Sequence, residues 1–426
     1  MERNSENYKM HLQILKEELV PAMGCTEPIS LAYAASKVVE VLGGLPTKTT
    51  IYVCGNIIKN VKSVVVPNTG GLRGIKAAVA AGYISARPDK VLEVLSVLTD
   101  DDVEKINDYL SLDNIEIIAS ERPYKFYIEI KASNEENTAK VIIINYHTNI
   151  ILVEKNKKVI YKSGEFHEEN QNHIADRSML TVKSIYDFAE SVEISDVEDV
   201  IMRQVEYNTK IAEVGLKGKY SSAVGKTLLE VYGDNIMTKA KAYAAAGSDA
   251  RMGGCDLPVV IVSGSGNQGM TCSLPVVQYA KHLNSTKEQL IRALVISNLV
   301  TIDEKRGIGR LSAFCGAVTA GCGAAAGICY LHGGGYHEIA KTINNSLGIA
   351  SGIVCDGAKA SCAAKIASAV DAGLLGFFLQ KANRNFLAGD GIIAGEIDET
   401  IENIGMVARY GMVTTDEEIL KIMVKN

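Results

Sequence analysis

Residues 311–331 read LSAFCGAVTAGCGAAAGICYL, and this stretch decides the class of fold. It carries no charged residue over a length sufficient to span a bilayer. However, Gly and Ala supply little transfer energy, no aromatic belt flanks the stretch, and its neighbours carry charges every few positions. We therefore predict a helix buried at the centre of a helical bundle, where a helix is apolar on all sides, and no membrane contact.

The rest of the second half has the same helical character. The 426 residues include 38 Gly and only 7 Phe, with no Trp, a composition that suits closely packed helices. An amphipathic helix is predicted over 8–20 and a second over 29–42. From about 175 onward the apolar pattern is helical, in segments 179–190, 208–217, 234–246, 286–300, 311–331, 336–345, 359–381 and 394–409.

The pattern changes between residues 47 and 162. Apolar runs become short and β-branched, and turn residues separate them: TTIYVC, VKSVVV, KFYIEI, KVIIINY, IILVEK and KVIY, with helices near 73–86 and 89–110. These runs predict a largely antiparallel sheet. The fold class is therefore α+β: a Gly/Ala-rich all-helical domain formed by 1–45 and 166–426, with an inserted α+β domain at 46–165.

The net charge limits the class of binding partner, and the N-terminal residues indicate the cellular location. The chain has 44 Lys and Arg against 50 Asp and Glu, a net charge of −6 and no basic run. Nucleic-acid and membrane-surface binding need clustered positive charge, so neither is expected. The N-terminus is charged and has no apolar signal region, so we expect a cytoplasmic protein.

Nine cysteines in such a chain do not suggest a disulfide framework. Cys315, Cys322 and Cys329 are seven residues apart, as are Cys355 and Cys362, so each set shares a helical face if its segment is helical. These cysteines are either small core residues or metal ligands. The zinc-site spacings are absent, whereas an iron–sulfur cluster needs only thiolates that converge in space.

A Gly-rich turn is the second chemical feature. Gly264–Gly269, GSGNQG, matches G-x-G-x-x-G after a strand-like run, but no alternation of strands and helices follows, so we expect no nicotinamide cofactor. A Gly-rich turn at the start of a helix still presents backbone N–H groups to an anion such as a carboxylate. Arg251 could join this site, or could instead pair with Asp249 or Asp256. The candidate substrate-binding residues are Arg251, Ser265, Gly266, Asn267, Gln268 and Gly269.

Several segments together carry a family resemblance: PAMGCTEP at 21–28, GNIIKNVKSVVVPNTG at 55–70, YHTNI at 146–150, SGSGNQG at 263–269, GCGAAAG at 321–327 and CDGAKASC at 355–362. Over nearly its whole length the chain resembles the L-cysteine desulfidase family, whose uncharacterised members are called UPF0597. The last two segments are also similar, more distantly, to the α-type domain of iron–sulfur L-serine dehydratases. Those enzymes hold a [4Fe–4S] cluster with three cysteines and leave one iron open to substrate.

The resemblance implies roles for particular residues. Cys322 matches the first cluster ligand, and Cys355 and Cys362 match the other two. The segment between the last two is shorter than in the dehydratases and lacks their prolines. Cys25 of the GCTEP turn therefore competes with Cys355 as a ligand, or acts as a thiolate near the substrate. His147 lies in a matching segment and is a second candidate catalytic residue.

The implied reaction is α,β-elimination from a small amino acid, without pyridoxal phosphate (PLP). An L-cysteine desulfidase would release hydrogen sulfide, pyruvate and ammonia, whereas an L-serine dehydratase would release water in place of the sulfide. The two substrates differ by one atom, and a soft thiol suits iron well. The third alternative is a cluster-free binding protein of the same fold. We expect a small amino acid as the ligand and consider a homodimer as the assembly.

Overall fold

Helices dominate the architecture. The structure, a computed structural model, describes residues 1–163, 175–309 and 311–425. The α-helices of these residues are α1 Glu6–Glu18, α2 Thr26–Leu42, α3 Gly55–Val61, α4 Gly74–Ser85, α5 Asp100–Ser111, α6 Val182–Ser191, α7 Ile194–Gly215, α8 Val224–Tyr232, α9 Ile236–Met252, α10 Gly266–His282, α11 Lys287–Ile308, α12 Ala317–Leu331, α13 Tyr336–Ile349, α14 Cys362–Lys381, α15 Ile397–Met406 and α16 Val413–Lys425.

The Gly/Ala-rich segment forms the buried central helix α12, as predicted. It packs against α10, α11, α13 and α14. Its glycines make these contacts close: a Cβ on Gly323 would lie 2.2 Å from Thr301 Oγ1, and one on Gly321 would lie 2.5 Å from the carbonyl oxygen of Ala369. The helix begins at Ala317 rather than at 311, because residues 313–315 pair with 353–355 in a short antiparallel bridge.

One helix among the described residues meets the length and composition of a membrane span. This helix is α14, with a mean hydropathy of 1.6 over its most apolar window, half of which is buried by the rest of the chain. A core helix of a globular protein satisfies the same test, so this is weak evidence for a membrane. The apolar helix α12 is shorter than a span.

The main sheet is mixed but mostly antiparallel, which confirms the predicted class. Its six strands run in the order β3-β2-β4-β5-β6-β7, with only β2 and β3 parallel. A separate two-stranded antiparallel sheet pairs β1 with β8. The strands are β1 Pro21–Met23, β2 Lys48–Val53, β3 Ile115–Ala119, β4 Tyr127–Ser133, β5 Thr138–Ile144, β6 Ile150–Lys155, β7 Lys158–Lys162 and β8 Pro258–Val260.

Two of the predicted elements differ from the structure. The run VKSVVV at 61–66 was predicted as a strand, but it follows α3 as a buried loop with a single bridge from Val65 to Arg73. The helix predicted over 89–110 is a 3₁₀ turn, Pro88–Glu93, followed by α5. The capping box of Thr99 and Asp102 starts α5 at Asp100.

The N-terminal residues, from α1 to α2, connect the helical part of the chain to the part that contains the main sheet. Helix α1 packs on α6, α7 and α11, and β1 pairs with β8, so both belong with the helical part. Helix α2 packs instead on α4 and on strands β4 and β5. Cys25 lies between β1 and α2, where the two groups meet. The predicted domain boundary at 165/166 lies outside the described residues, and the division into domains stays a prediction.

Candidate active site

A cavity of about 100 Å³ lies where the helices meet the sheet-containing part. Its walls come from widely separated segments: the turn before α2, α3, the loop after β5, the end of α9, the start of α10, the end of α11 and the loops before α12 and α14. The lining residues that carry chemistry are Cys25, Glu27, Lys59, Asn60, His147, Arg251, Ser265, Asn267, Gln268, Lys305, Cys315, Cys355 and Cys362.

The bridge before α12 brings two of the thiols together. The Cys315 N–H donates to Ile353 O at 2.8 Å, and the Cys355 N–H donates to Ala313 O at 2.6 Å. This pairing places both cysteine side chains on one face of the bridge, where they contact each other. The hydrogen bond from Cys315 lowers the pKa of Cys355 to about 6, although burial acts to raise it. Cys362, the first residue of α14, completes the group.

Cys322 does not line this cavity, so the structure does not bring it together with Cys355 and Cys362 there. It is 2% exposed within α12, and its Sγ is 3.9 Å from Ile343 O of α13. Burial and the neighbouring Glu304 raise its pKa. Because α12 begins at Ala317, Cys322 faces the neighbouring helices, and Cys315 lies beside Cys355 instead.

Cys25 lies in the cavity, where it forms a pair with Glu27. Cys25 Sγ donates to Glu27 Oε2 at 3.0 Å, and Asn60 Nδ2 donates to Glu27 Oε1 at 2.9 Å. His147 Nε2 is 4.0 Å from Glu27 Oε1. Burial acts to raise the pKa of Glu27, but its interactions with His147 and Cys25 outweigh burial and hold it at about 2. Burial and the Glu27 charge raise the pKa of Cys25, so at rest this pair is a thiol beside a carboxylate.

Arg251 is fixed against the turn that carries Cys25. Its Nε donates to Gly24 O at 2.7 Å, and its guanidinium NH1 donates to Asn267 Oδ1 at 3.1 Å. Neither Asp249 nor Asp256 shows a bond to this guanidinium; Asp249 accepts from the Gly225 N–H, and Asp256 accepts from the Asn68 N–H. The arrangement places a buried cation beside the N-terminal turn of α10.

The predicted Gly-rich turn contributes only part of its residues. Ser265, Asn267 and Gln268 line the cavity, whereas Gly266 and Gly269 do not. Ser265 caps α10, since its hydroxyl accepts from the Gln268 N–H at 3.5 Å. The strand before the turn, β8, pairs antiparallel with β1 rather than forming part of a βαβ unit, unlike a dinucleotide-binding site.

The two glycines have packing roles instead. A Cβ on Gly269 would lie 2.0 Å from Val260 O, so this glycine lets α10 approach β8. A Cβ on Gly266 would lie 2.5 Å from Arg251 Nε. Gly266 has an ordinary negative-φ helical conformation, so the reason for glycine here is the room needed by the guanidinium and not the backbone.

Buried polar atoms in the cavity indicate a polar ligand. His147 Nε2, Asn60 Oδ1 and Gln268 Oε1 are buried without a hydrogen-bond partner within the described chain. All three residues line this one cavity. A buried unsatisfied polar group typically costs about 1–3 kcal/mol, so a small polar molecule that pairs with these atoms would be stabilised here.

Five of the lining residues were not predicted as site residues. Glu27, Lys59 and Asn60 lie in segments that carry the family resemblance, but the resemblance gave no role to these three residues. The spacing of Cys315 allowed either core packing or a metal ligand, and the family resemblance gave it no role. Lys305, in the middle of a helical pattern, has no local signal at all.

The fold and the cavity define a helix-rich α+β protein with a site for a small polar ligand among four cysteine thiols. The family described as serine dehydratase alpha chain matches residues 89–421. UPF0597 proteins are similar over almost the whole length: that of Desulfitobacterium hafniense is 54% identical over 99% of this chain and 98% of its own, and that of Finegoldia magna is 50% identical over 98% of this chain and all of its own. The chain therefore belongs to the UPF0597 family and to the serine dehydratase alpha chain family, which points to a lyase-type enzyme.

Proposed function

We propose that this protein is an iron–sulfur L-cysteine desulfidase, which converts L-cysteine to hydrogen sulfide, pyruvate and ammonia. The observation that carries the proposal is the convergence of Cys315, Cys355 and Cys362 with the Cys25–Glu27 pair in one cavity. Three thiols and an acid–base pair are the groups that a cluster-dependent elimination needs.

The donor set fits a [4Fe–4S] cluster held by Cys315, Cys355 and Cys362. Within the described residues, no three His, Cys, Asp or Glu side chains are grouped to hold a single metal ion. A cluster is larger than one ion, so its ligands lie farther apart than those of a mononuclear site. The hydrogen bond from Cys315, with positive charge from Lys59 and Lys305, lowers the pKa of Cys355, which favours the thiolate that a ligand must be. When bound, the cluster supplies a Lewis-acidic iron for the leaving sulfur, and no PLP is required.

Arg251 and Asn267 are placed to hold the substrate carboxylate. The guanidinium is buried, and its contacts to Gly24 and Asn267 fix its plane. Arg matches a carboxylate with paired N–H donors, and the N-terminus of α10 adds favourable dipole charge. This contact orients the substrate so that its Cα hydrogen and its thiol are held in fixed directions.

The Cys25–Glu27 pair handles the protons. At rest the pair holds one proton, on Cys25, and after abstraction from Cα it holds two, as a thiol and a protonated Glu27. The Cys25–Glu27 pair ends with these two protons whichever of its atoms first receives the proton from Cα. Cleavage of the Cβ–S bond releases hydrosulfide, to which protonated Glu27 returns the proton. The remaining aminoacrylate tautomerises and hydrolyses to pyruvate and ammonia.

L-Serine dehydration is the second candidate, because the matching family is described by that activity. The same carboxylate contact and acid–base pair would serve it, with hydroxide as the leaving group. Sulfur is the softer ligand for iron, which favours L-cysteine. The cavity is small in either case, which agrees with an amino acid of this size.

The test is anaerobic reconstitution with iron and sulfide, followed by assays of both substrates. We expect a brown protein that releases sulfide and pyruvate from L-cysteine with a kcat/KM at least tenfold higher than that for pyruvate release from L-serine. A higher kcat/KM for L-serine would identify a dehydratase instead. A colourless, iron-free protein after reconstitution would indicate the cluster-free binding protein.

Gly266→Ala is expected to raise the KM for L-cysteine by about ten- to a hundredfold, with little change in kcat. The added Cβ displaces the Arg251 guanidinium, and loss of one charge-assisted contact costs about 1.5–3 kcal/mol. Gly395→Ala is the matched control, since a Cβ there meets no atom within 4 Å and that glycine also has no positive φ. An unchanged KM in Gly266→Ala would remove Arg251 from the substrate site.

A further inference from the structure

The C-terminal helix α16 lies directly against α3, a helix of the cavity wall. Asp416 Oδ1 is 2.5 Å from Lys59 Nζ, and Lys62 Nζ donates to Met423 O at 2.5 Å. Leu420 packs so close to Gly55 that a Cβ on this glycine would lie 2.6 Å from Leu420 Cδ1. These three contacts seat one face of α16 along the length of α3.

Lys59 is a buried cation at the cysteine end of the cavity. Its side chain is 1% exposed, yet Lys59 lines the cavity. The turn after Cys355 packs against the backbone of Lys59: at Gly357, which has φ +95°, a Cβ would lie 2.4 Å from Lys59 O. An ammonium group so buried needs a counter-ion, because transfer of an unpaired charge out of water is strongly unfavourable.

Asp416 supplies that counter-ion from outside the cavity. Its side chain is 21% exposed and is not part of the cavity wall. Among the described residues, Lys59 links Asp416 to the site, and the charge of Lys59 acts on the neighbouring Cys355. The Lys59–Asp416 ion pair joins residues that are 357 positions apart in the chain.

We propose that Asp416 is a positioning residue that holds the Lys59 ammonium in the cavity, where it offsets the negative charge of the thiolates and of the departing hydrosulfide. The C-terminal helix thereby completes the active site. The role given to Lys59 rests on the proposed desulfidase function, whereas the positioning by Asp416 is a property of the chain itself. The two parts are tested by separate measurements.

The kinetic test is a double-mutant cycle on the reconstituted enzyme. Asp416→Asn is expected to lower kcat/KM for L-cysteine at least tenfold, and Asp416→Glu should recover most of this loss. In a Lys59→Met background, where the remaining Asp416 can be solvated, Asp416→Asn should change kcat/KM less than twofold. Glu418→Gln, which breaks an exposed pair with Lys421 on the same helix, is the control and should leave kcat/KM unchanged. Additive losses in the double variant would overturn the proposal.

The second measurement needs no cluster and no activity. Acetylation of each lysine in the cluster-free protein is followed by mass spectrometry. Lys59, buried and ion-paired, should be protected in the wild type and at least fivefold more reactive in Asp416→Asn, but not in Glu418→Gln. Unchanged protection of Lys59 in Asp416→Asn would overturn the positioning role. If the wild type is inactive on both amino acids while this protection depends on Asp416, the proposed function fails and the positioning by Asp416 stands.

Discussion

Cys315→Ser is expected to lower the iron content of the reconstituted protein from about four atoms per chain to below about one, and to abolish its visible absorption. Cys315 lies beside Cys355 at the bridge before α12, so its loss leaves two cysteines of the proposed ligand set. A serine hydroxyl is a poor ligand for iron in this setting because it stays protonated at neutral pH. Iron analysis and the absorption spectrum, both under anaerobic conditions, provide the measurement.

Cys322→Ser is the matched control, and it also decides between two assignments. The family resemblance implies Cys322 as a ligand, whereas the structure buries it beside Glu304 outside the cavity. We expect this variant to retain full iron content and absorption, with some loss of stability from the buried hydroxyl. Loss of iron in Cys322→Ser together with retention in Cys315→Ser would show that the resemblance, and not the cavity, identifies the ligand.

The helix α12 shows how far the sequence predicts this fold. Its composition predicted a central buried helix because small residues allow close helix contacts, and that prediction is confirmed. The start of the helix was not predictable. Gly316 occupies the N-cap position without a side-chain hydrogen bond, so no capping residue marks the boundary. Cys315, which precedes the helix, lines the cavity, whereas Cys322, inside the helix, does not.

The prediction of a strand at the valine run 61–66 was wrong for a different reason. β-Branched residues indicate burial as much as they indicate a strand, and Val64 and Val66 are fully buried in a loop. By contrast, the strands from β4 to β7 were predicted because each alternates or is bounded by turn residues. The parallel strand β3 was missed: it has five residues, of which only Ile115 is buried.

Some residues of the cavity could be predicted from short sequence segments, whereas others are brought together only by the fold. Cys25, His147, Arg251, Asn267 and Gln268 were predicted from short segments, and the structure brings all five to the cavity. Lys59 with Asp416, and Cys315 with Cys355, meet only through the tertiary fold. Pairing across such separations leaves no periodicity or spacing in the sequence, so it could not be read from the residues alone.

Glu27→Gln is expected to lower kcat for L-cysteine by about 10²- to 10⁴-fold, the range found for loss of a general acid–base group. The amide cannot accept the second proton that the Cys25–Glu27 pair must hold after abstraction from Cα. The substitution keeps the shape of the side chain, and its amide oxygen can still accept from Asn60, which donates to Glu27 at 2.9 Å. Iron content and KM should therefore change little, and steady-state kinetics on the reconstituted variant give the measurement.

Glu304→Gln tests whether this loss belongs to the cavity or to any buried glutamate. Glu304 is even more buried than Glu27 but does not line the cavity, and burial raises its pKa well above the usual range. This shift favours the neutral acid, which the amide of glutamine matches in shape and charge. We expect wild-type kcat in Glu304→Gln. If Glu27→Gln also keeps kcat within threefold of wild type, the Cα proton leaves by a route other than the Cys25–Glu27 pair, and His147, 4.0 Å from Glu27, becomes the next group to replace.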